Sequence, residues 1–274
     1  MISAGTLPEA LWGWAAAAPE DPWLFHPRGA DWKWLSFAEA AAGTARLAAA
    51  LTAAAPPGVD GVEFGARPAP EVVALDLALQ GLGWTSRPAP AGEPVLLPGR
   101  LAVALPPFEP RREAHLAPAP AGDGAAVVRE GGGERRLGQA ELIGQAVRLD
   151  ETLPAAARRD VLVFHRPLAE PGARALLAWA TLAGAALLLQ PEPSHLAASV
   201  LWSRPTLLAG NVAELETVRA ALVRHEPRLD RLRRRRGPLG RLRAVVALDA
   251  VGEWPSASEA KFWRDCGATL VTAR

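Results

Sequence analysis

Few residues in this sequence have the type and spacing to do chemistry. The most suggestive are the glycine triplet Gly131-Gly132-Gly133 and, just beyond it, Arg135 and Arg136. Glycine lets backbone N–H groups approach a phosphate closely, and arginine supplies balancing charge. The triplet follows the apolar pair Val127-Val128 and precedes a helix-like run from Gln139 to Leu149. Its chemical reading is a nucleotide-binding loop. Its plainer reading is a hairpin turn between solvated charges, which is the commoner use of such a triplet.

Other chemistries find less support. The five histidines, His26, His115, His165, His195 and His225, do not stand at metal-ligand spacing with one another, with a cysteine or with clustered carboxylates, so a metal site is not expected. There is no Gly-x-Ser-x-Gly elbow, no Walker loop and no dinucleotide fingerprint. A mechanism that needs lysine has only Lys33 and Lys261 to draw on. No residue is therefore assigned a catalytic role. The segment 231–243, with Arg233 to Arg236 at its centre, could bind a membrane surface or nucleic acid. Charge runs usually form solvated loops or helix ends, and this one lacks the aromatic residues that base stacking uses. Trp12, Trp14, Trp23, Trp32 and Trp34 cluster near the N-terminus. They could line an acyl or aromatic pocket, but packing of the core is the expected role.

The elements that must position these residues are readable from capping and periodicity. Ser36 and Glu39 make a capping box for a helix that ends before Pro56-Pro57. A second helix starts at Pro70-Glu71 and stops at Gly81 and Gly83. Beyond residue 160 the pattern alternates. Strands are predicted at 161–164, 185–189, 206–209, 242–248 and 269–271, and helices at 171–182, 194–202, from Asn211 to Leu222, and from the Ser256/Glu259 box to near Gly267. Short apolar strands separated by helices predict an α/β fold of mainly parallel sheets with helices on both faces. Residues 105–124, rich in Pro, Ala and Gly, read as a linker between a first α/β subdomain (1–104) and a second (125–274).

Composition sets outer limits. Half of the 274 residues are hydrophobic and 22% are charged, enough apolar material for a sizeable core. The formal net charge of +1 gives no global field that would favour nucleic acid. The one cysteine, Cys266, cannot form an internal disulfide and reads as a small buried residue near a helix end. With no signal-like N-terminus, the chain is expected in the cytoplasm. The most apolar stretch, 175–189, is too short to span a bilayer and contains Gly184.

The order of short motifs resembles a family. Pro19-Glu20-Asp21-Pro22-Trp23-Leu24 is similar to the "P-D-x-P-A-L" opening of the acyl-CoA synthetase, luciferase and adenylation-domain superfamily. Trp34 to Ala40 resembles its "W-x-T-Y-x-E-L", and Arg46 to Leu51 its "R-L-A-x-x-L". Likenesses continue through Leu79 to Trp84 with Pro88, Asp160 to Leu168 ("P-L-x-H"), Gly184-Ala185-Ala186, Arg204 to Gly210, and Leu242 to Ala247 with Phe262-Trp263 and Gly267. They cover nearly the whole chain and stand closest to long-chain fatty acyl-CoA synthetases. The resemblance implies a two-subdomain α/β fold, a place in fatty acid metabolism, and ATP or AMP with magnesium as cofactors if the family activity survives.

Departures from the family pattern bear on that activity. Its phosphate loop, "T-S-G-T-T-G-x-P-K-G", corresponds here to Val128 through Leu137, which has no hydroxyl residue and carries Glu130 and Glu134. Arg136 is the candidate replacement for the loop lysine. The "G-G-A" motif has no match near Ala247 to Ala250, and Arg274 falls about where "Y-G-x-T-E" would begin. The favoured reading is a catalytically degenerate acyl-CoA synthetase-like domain, a pseudoenzyme that binds a carboxylate, an acyl ligand or a protein partner. One alternative is a divergent ligase completed by a second chain, with Gly131, Gly132, Gly133, Arg135 and Arg136 holding nucleotide. The other is a basic surface-binding protein using 231–243. Self-association is also expected if apolar surface is left uncovered.

Overall fold

The computed structural model describes residues 1–29, 31–89, 94–99, 101–103, 124–154, 160–225, 239–248 and 256–273. The expected linker lies outside the described residues except for Gly124, as does the centre of the arginine run.

The chain opens with α1 (Leu7–Ala17), β1 (Pro22–Arg28), β2 (Asp31–Ser36) and α2 (Phe37–Ala54). Next come β3 (Gly61–Gly65), α3 (Pro70–Gly81), β4 (Thr85–Ala89), β5 (Val95–Leu97) and β6 (Leu101–Ala102). After residue 124 follow β7 (Ala125–Glu130), β8 (Gly133–Leu137) and α4 (Gln139–Thr152). The alternating part is β9 (Val161–Phe164), α5 (Pro171–Ala183), β10 (Ala186–Leu189), α6 (Leu196–Ser203), β11 (Leu207–Gly210), α7 (Val212–His225), β12 (Ala244–Leu248), α8 (Ala257–Asp265) and β13 (Thr269–Ala273).

Local chemistry explains the helix starts. Ser36 accepts from the Glu39 N–H while Glu39 accepts from the Ser36 N–H, and Ser256 and Glu259 do the same. Thr6 and Glu9 cap α1 in the same reciprocal way. Each box satisfies two backbone donors that would otherwise be orphaned. Gly184 closes α5 in the left-handed conformation with φ of 70°.

Two sheets result. One runs β13-β12-β11-β9-β10-β1-β2, parallel except for the antiparallel hairpin β1–β2. The other runs β6-β5-β3-β4-β7-β8, with β3, β4 and β7 parallel and both flanks antiparallel. Both sheets are thus mixed. The halves of the sequence do not map one-to-one onto them: β1 and β2 join the sheet built mostly by residues beyond 160, and β7 and β8 complete the sheet begun by β3. A single apolar cluster from Leu7 to Val271, with Trp23 and Trp179 fully buried, lies between the sheets. Trp14 and Trp23 stack on Phe37 at 5.8 and 5.6 Å, the core role expected of them. Trp34 departs from that expectation, being 45% exposed on β2. Cys266 is buried beyond the end of α8.

A buried polar network ties α1, α3, α4 and α5 to β4. Arg174 of α5 reaches Asp76 of α3 at 2.5 Å, and both side chains are at most 1% exposed. Asp76 also accepts from Ser86 of β4 and from Gln80 at 2.7 Å. Gln80 in turn accepts from Gln139, which donates to the Gly124 carbonyl and accepts from the Leu7 N–H. Hydrogen bonds of this kind are what allow a charge pair inside an apolar core.

Candidate functional site

The glycine triplet forms a tight hairpin. Glu130 pairs with Gly133 across a two-residue turn, and Gly131 and Gly132 have φ of 58° and 83°. Both central residues are left-handed, the signature of a type I′ turn, whose twist matches the flanking strands. A Cβ on either glycine would meet nothing within 4 Å. The requirement for glycine here is therefore one of backbone conformation rather than of close approach.

The strand alternation of β8 sends its arginines to opposite faces. Arg135 pairs with Glu130 at 3.1 Å and with Glu141 at the start of α4. Arg136 stands opposite Val127 and lines a cleft of about 530 Å³ with Asp60, Glu63, Thr85, Arg87, Glu134 and Arg135 itself. Arg87 is tied to Glu134 at 2.9 Å. Among the described residues, Arg136 has no carboxylate partner. Of the five predicted nucleotide-site residues, then, the three glycines make the turn and both arginines line the cleft, Arg135 already held by Glu130 and Glu141.

A second polar group gathers at the carboxyl ends of the parallel strands, where open α/β sheets bind ligands. His165 and Arg166 follow β9, and Asn211 follows β11. Glu214, in the first turn of α7, accepts from the Asn211 N–H at 2.8 Å and from Arg166 at 2.9 and 3.0 Å. Arg166 also bonds Glu170 at 2.5 Å. The buried His165 places Nε2 3.2 Å from Glu214, outside good hydrogen-bond alignment, and its Nδ1 has no hydrogen-bond partner among the described residues. In sequence, His165 stands at no metal-ligand spacing and Glu214 lies three residues after the helix-opening Asn211, so neither marks a site. Only the register of β9 against β11 brings them together, and no local spacing signals it.

Burial alone would push the Glu214 carboxyl up. Its contact with His165, the Asn211 N–H and the Arg166 guanidinium outweigh that and lower it from 4.5 to about 2. A folded-state pKa below the unfolded one gives stability that is complete above pH 4.5 and lost as pH falls towards 2. We expect Glu214→Gln to remove this component, worth at most about 3 kcal/mol, and to flatten the acid limb of the stability curve. Thermal melts of both proteins between those pH values check it. Parallel curves for the two would show that Glu214 is not held this way.

Among the described residues no group of three His, Cys, Asp or Glu side chains could hold a metal ion, and no helix is long and apolar enough to cross a membrane.

No family model matches the sequence, and no curated protein matches it. Solved structures do match. The chain superposes on the N-terminal domain of FACL13 from Mycobacterium tuberculosis with a TM-score of 0.69 at 14% identity, covering 97% of this chain and 75% of that one. NpsA from Klebsiella oxytoca, solved with 3-hydroxyanthranilyl-AMSN, gives 0.72 at 16%, covering 98% and 57%. Acetoacetyl-CoA synthetase from Streptomyces lividans gives 0.71 at 16%, covering 97% and 50%. The chain thus spans about half the length of the two larger proteins. Its fold is that of the N-terminal domain of adenylate-forming enzymes.

Proposed function

We propose that this chain is a ligand-binding module built on an adenylate-forming scaffold, and that it no longer performs adenylation. One observation carries the reading. The segment that would cradle phosphate is closed as a two-residue turn, with no hydroxyl side chain and with carboxylates on both arms. Arg135 is already neutralised by Glu130 and Glu141, and Arg87 by Glu134. A magnesium–nucleotide complex needs donors and positive charge aimed at its phosphates. The residues present do not fit it, and no step is assigned through it.

A small carboxylate or acyl ligand makes lesser demands. It needs one cation and a cleft of suitable size, and ligand pockets run to about 300–1,000 Å³. The cleft beside β8 supplies both, with Arg136 as the cation and Thr85 and Val127 beside it, and Asp60 and Glu63 on its wall restrict a ligand's carboxylate to the Arg136 end. FACL13 and NpsA were solved with an inhibitor and an adenylate analogue bound, which supports a ligand-holding role for the shared scaffold. Cytoplasmic residence and a link to fatty acid metabolism belong to the same proposal.

A thermal-shift titration with ATP-magnesium, AMP and a panel of fatty and aromatic carboxylates tests it. A ligand that binds only the folded state raises the melting temperature by mass action. The expected result is a shift with a carboxylate and none with nucleotide, the carboxylate shift disappearing in Arg136→Ala. A shift with ATP that Arg136→Ala abolishes would instead support a divergent ligase, for which Arg136, free in the cleft, is the favouring observation.

A further inference from the structure

Among the described residues, strand β2 is the outer edge of the seven-stranded sheet, and it carries exposed aromatic surface. Trp32 stacks on Trp202 of α6 with ring centroids 5.0 Å apart, and Trp202 is 58% exposed. Trp34 follows on the same face. Soluble proteins usually blunt a free edge, because its unpaired N–H and C=O groups accept another strand.

Arg28 and Asp31 close the β1–β2 hairpin, so they form a hydrogen-bonded pair, and Pro27 opposite Trp32 falls in a pair that needs no N–H. The backbone groups of Trp32 and Trp34 therefore point outward, away from β1. Leu35 and Ser36 are buried, which leaves 31–34 as the free stretch.

We infer that this edge pairs antiparallel with β2 of a second copy about a twofold axis at Trp32. Charge selects this register. A twofold at Trp32 sets each Asp31 opposite the partner's Lys33 in a close, non-hydrogen-bonded pair, and opposite charges there stabilise. A twofold at Lys33 sets lysine against lysine, which destabilises. A lysine alone on an edge discourages pairing, but Asp31 two residues away makes the edge self-complementary. The contact is isologous, so it closes as a dimer instead of growing into a filament. A stretch this short buries less than the roughly 1,200 Å² of a stable interface. The dimer is therefore weak, with a dissociation constant on the order of 10–100 μM. It is independent of what the cleft binds.

Sedimentation velocity of the full chain from about 10 to 500 μM tests it, since that range brackets the expected constant. The wild type should shift from monomer to dimer. Lys33→Asp and Asp31→Lys should each weaken association by about tenfold or more, and the double exchange Asp31→Lys/Lys33→Asp should restore it. Both positions are exposed, and unchanged circular dichroism melts confirm that each variant is folded. A wild type that stays monomeric throughout overturns the inference and leaves the edge to some other extended segment. A dimer that ignores the single reversals, or that the double exchange does not rescue, overturns it as well.

Discussion

Replacing Arg174 with alanine should cost the fold about 3–5 kcal/mol, the largest effect expected of any single polar substitution here. The size follows from what is left behind. Asp76 is fully buried, and Arg174 is its only cation among the described residues. Without it, the carboxylate keeps Ser86 and Gln80 as donors but has no balancing charge. A domain typically holds about 5–15 kcal/mol in total, so much of the margin would go. Urea denaturation followed by the fluorescence of the ten tryptophans measures it. The double variant Asp76→Leu/Arg174→Met separates charge from packing, because replacing a buried pair with apolar residues of similar volume is often close to neutral. If Arg174→Ala lost less than about 1 kcal/mol, the pair would not be the fastening described.

Gly124→Ala should cost about 3 kcal/mol, and here the reason is backbone contact. A Cβ at this position would lie 2.5 Å from both the Cα and the carbonyl oxygen of Gln80. Gly124 and Gln80 are also joined directly, the Gly124 N–H donating to the Gln80 carbonyl at 3.2 Å, while Gln139 bonds both residues. Neither segment can retreat without breaking that set. Gly138→Ala is the control, since a Cβ there meets nothing within 4 Å and φ is −79°. It should move stability by less than about 1 kcal/mol. Equal losses at the two positions would contradict the steric account.

These two sites mark where sequence reading reaches its limit. The capping boxes at Ser36 and Ser256, the Pro171 start of α5 and the alternation beyond residue 160 are local signals, and the structure has elements at each of them. The α/β class follows from them, as does the hairpin reading of Gly131 to Gly133. The Thr6–Glu9 box is equally local, with Pro8 at a tolerated first-turn position between the capping residues. Strands β1 and β2 are harder to read: prolines near both ends of β1 disguise a strand that needs no N–H at those positions. The rest is not local. Asp76 and Arg174 are 98 residues apart, and Arg166 and Glu214 are 48 apart. Their meeting depends on which strands become neighbours. The interleaving of the two sheets is of the same kind, since no composition shift reports that β7 will pair with β4.

The candidate site divides in the same way. Arg135 and Arg136 look equivalent in sequence and both line the cleft, but Arg135 is held by Glu130 and Glu141 while Arg136 has no carboxylate partner among the described residues. That difference is why the cleft is assigned to a carboxylate and the turn to structure. The most direct test of this account is incubation of the chain with ATP-magnesium and the carboxylate that stabilises it most, followed by mass-spectrometric detection of acyl-adenylate. The account predicts a bound carboxylate and no adenylate at any time. Accumulation of acyl-adenylate, lost in Arg136→Ala, would contradict it and make the cleft an active site.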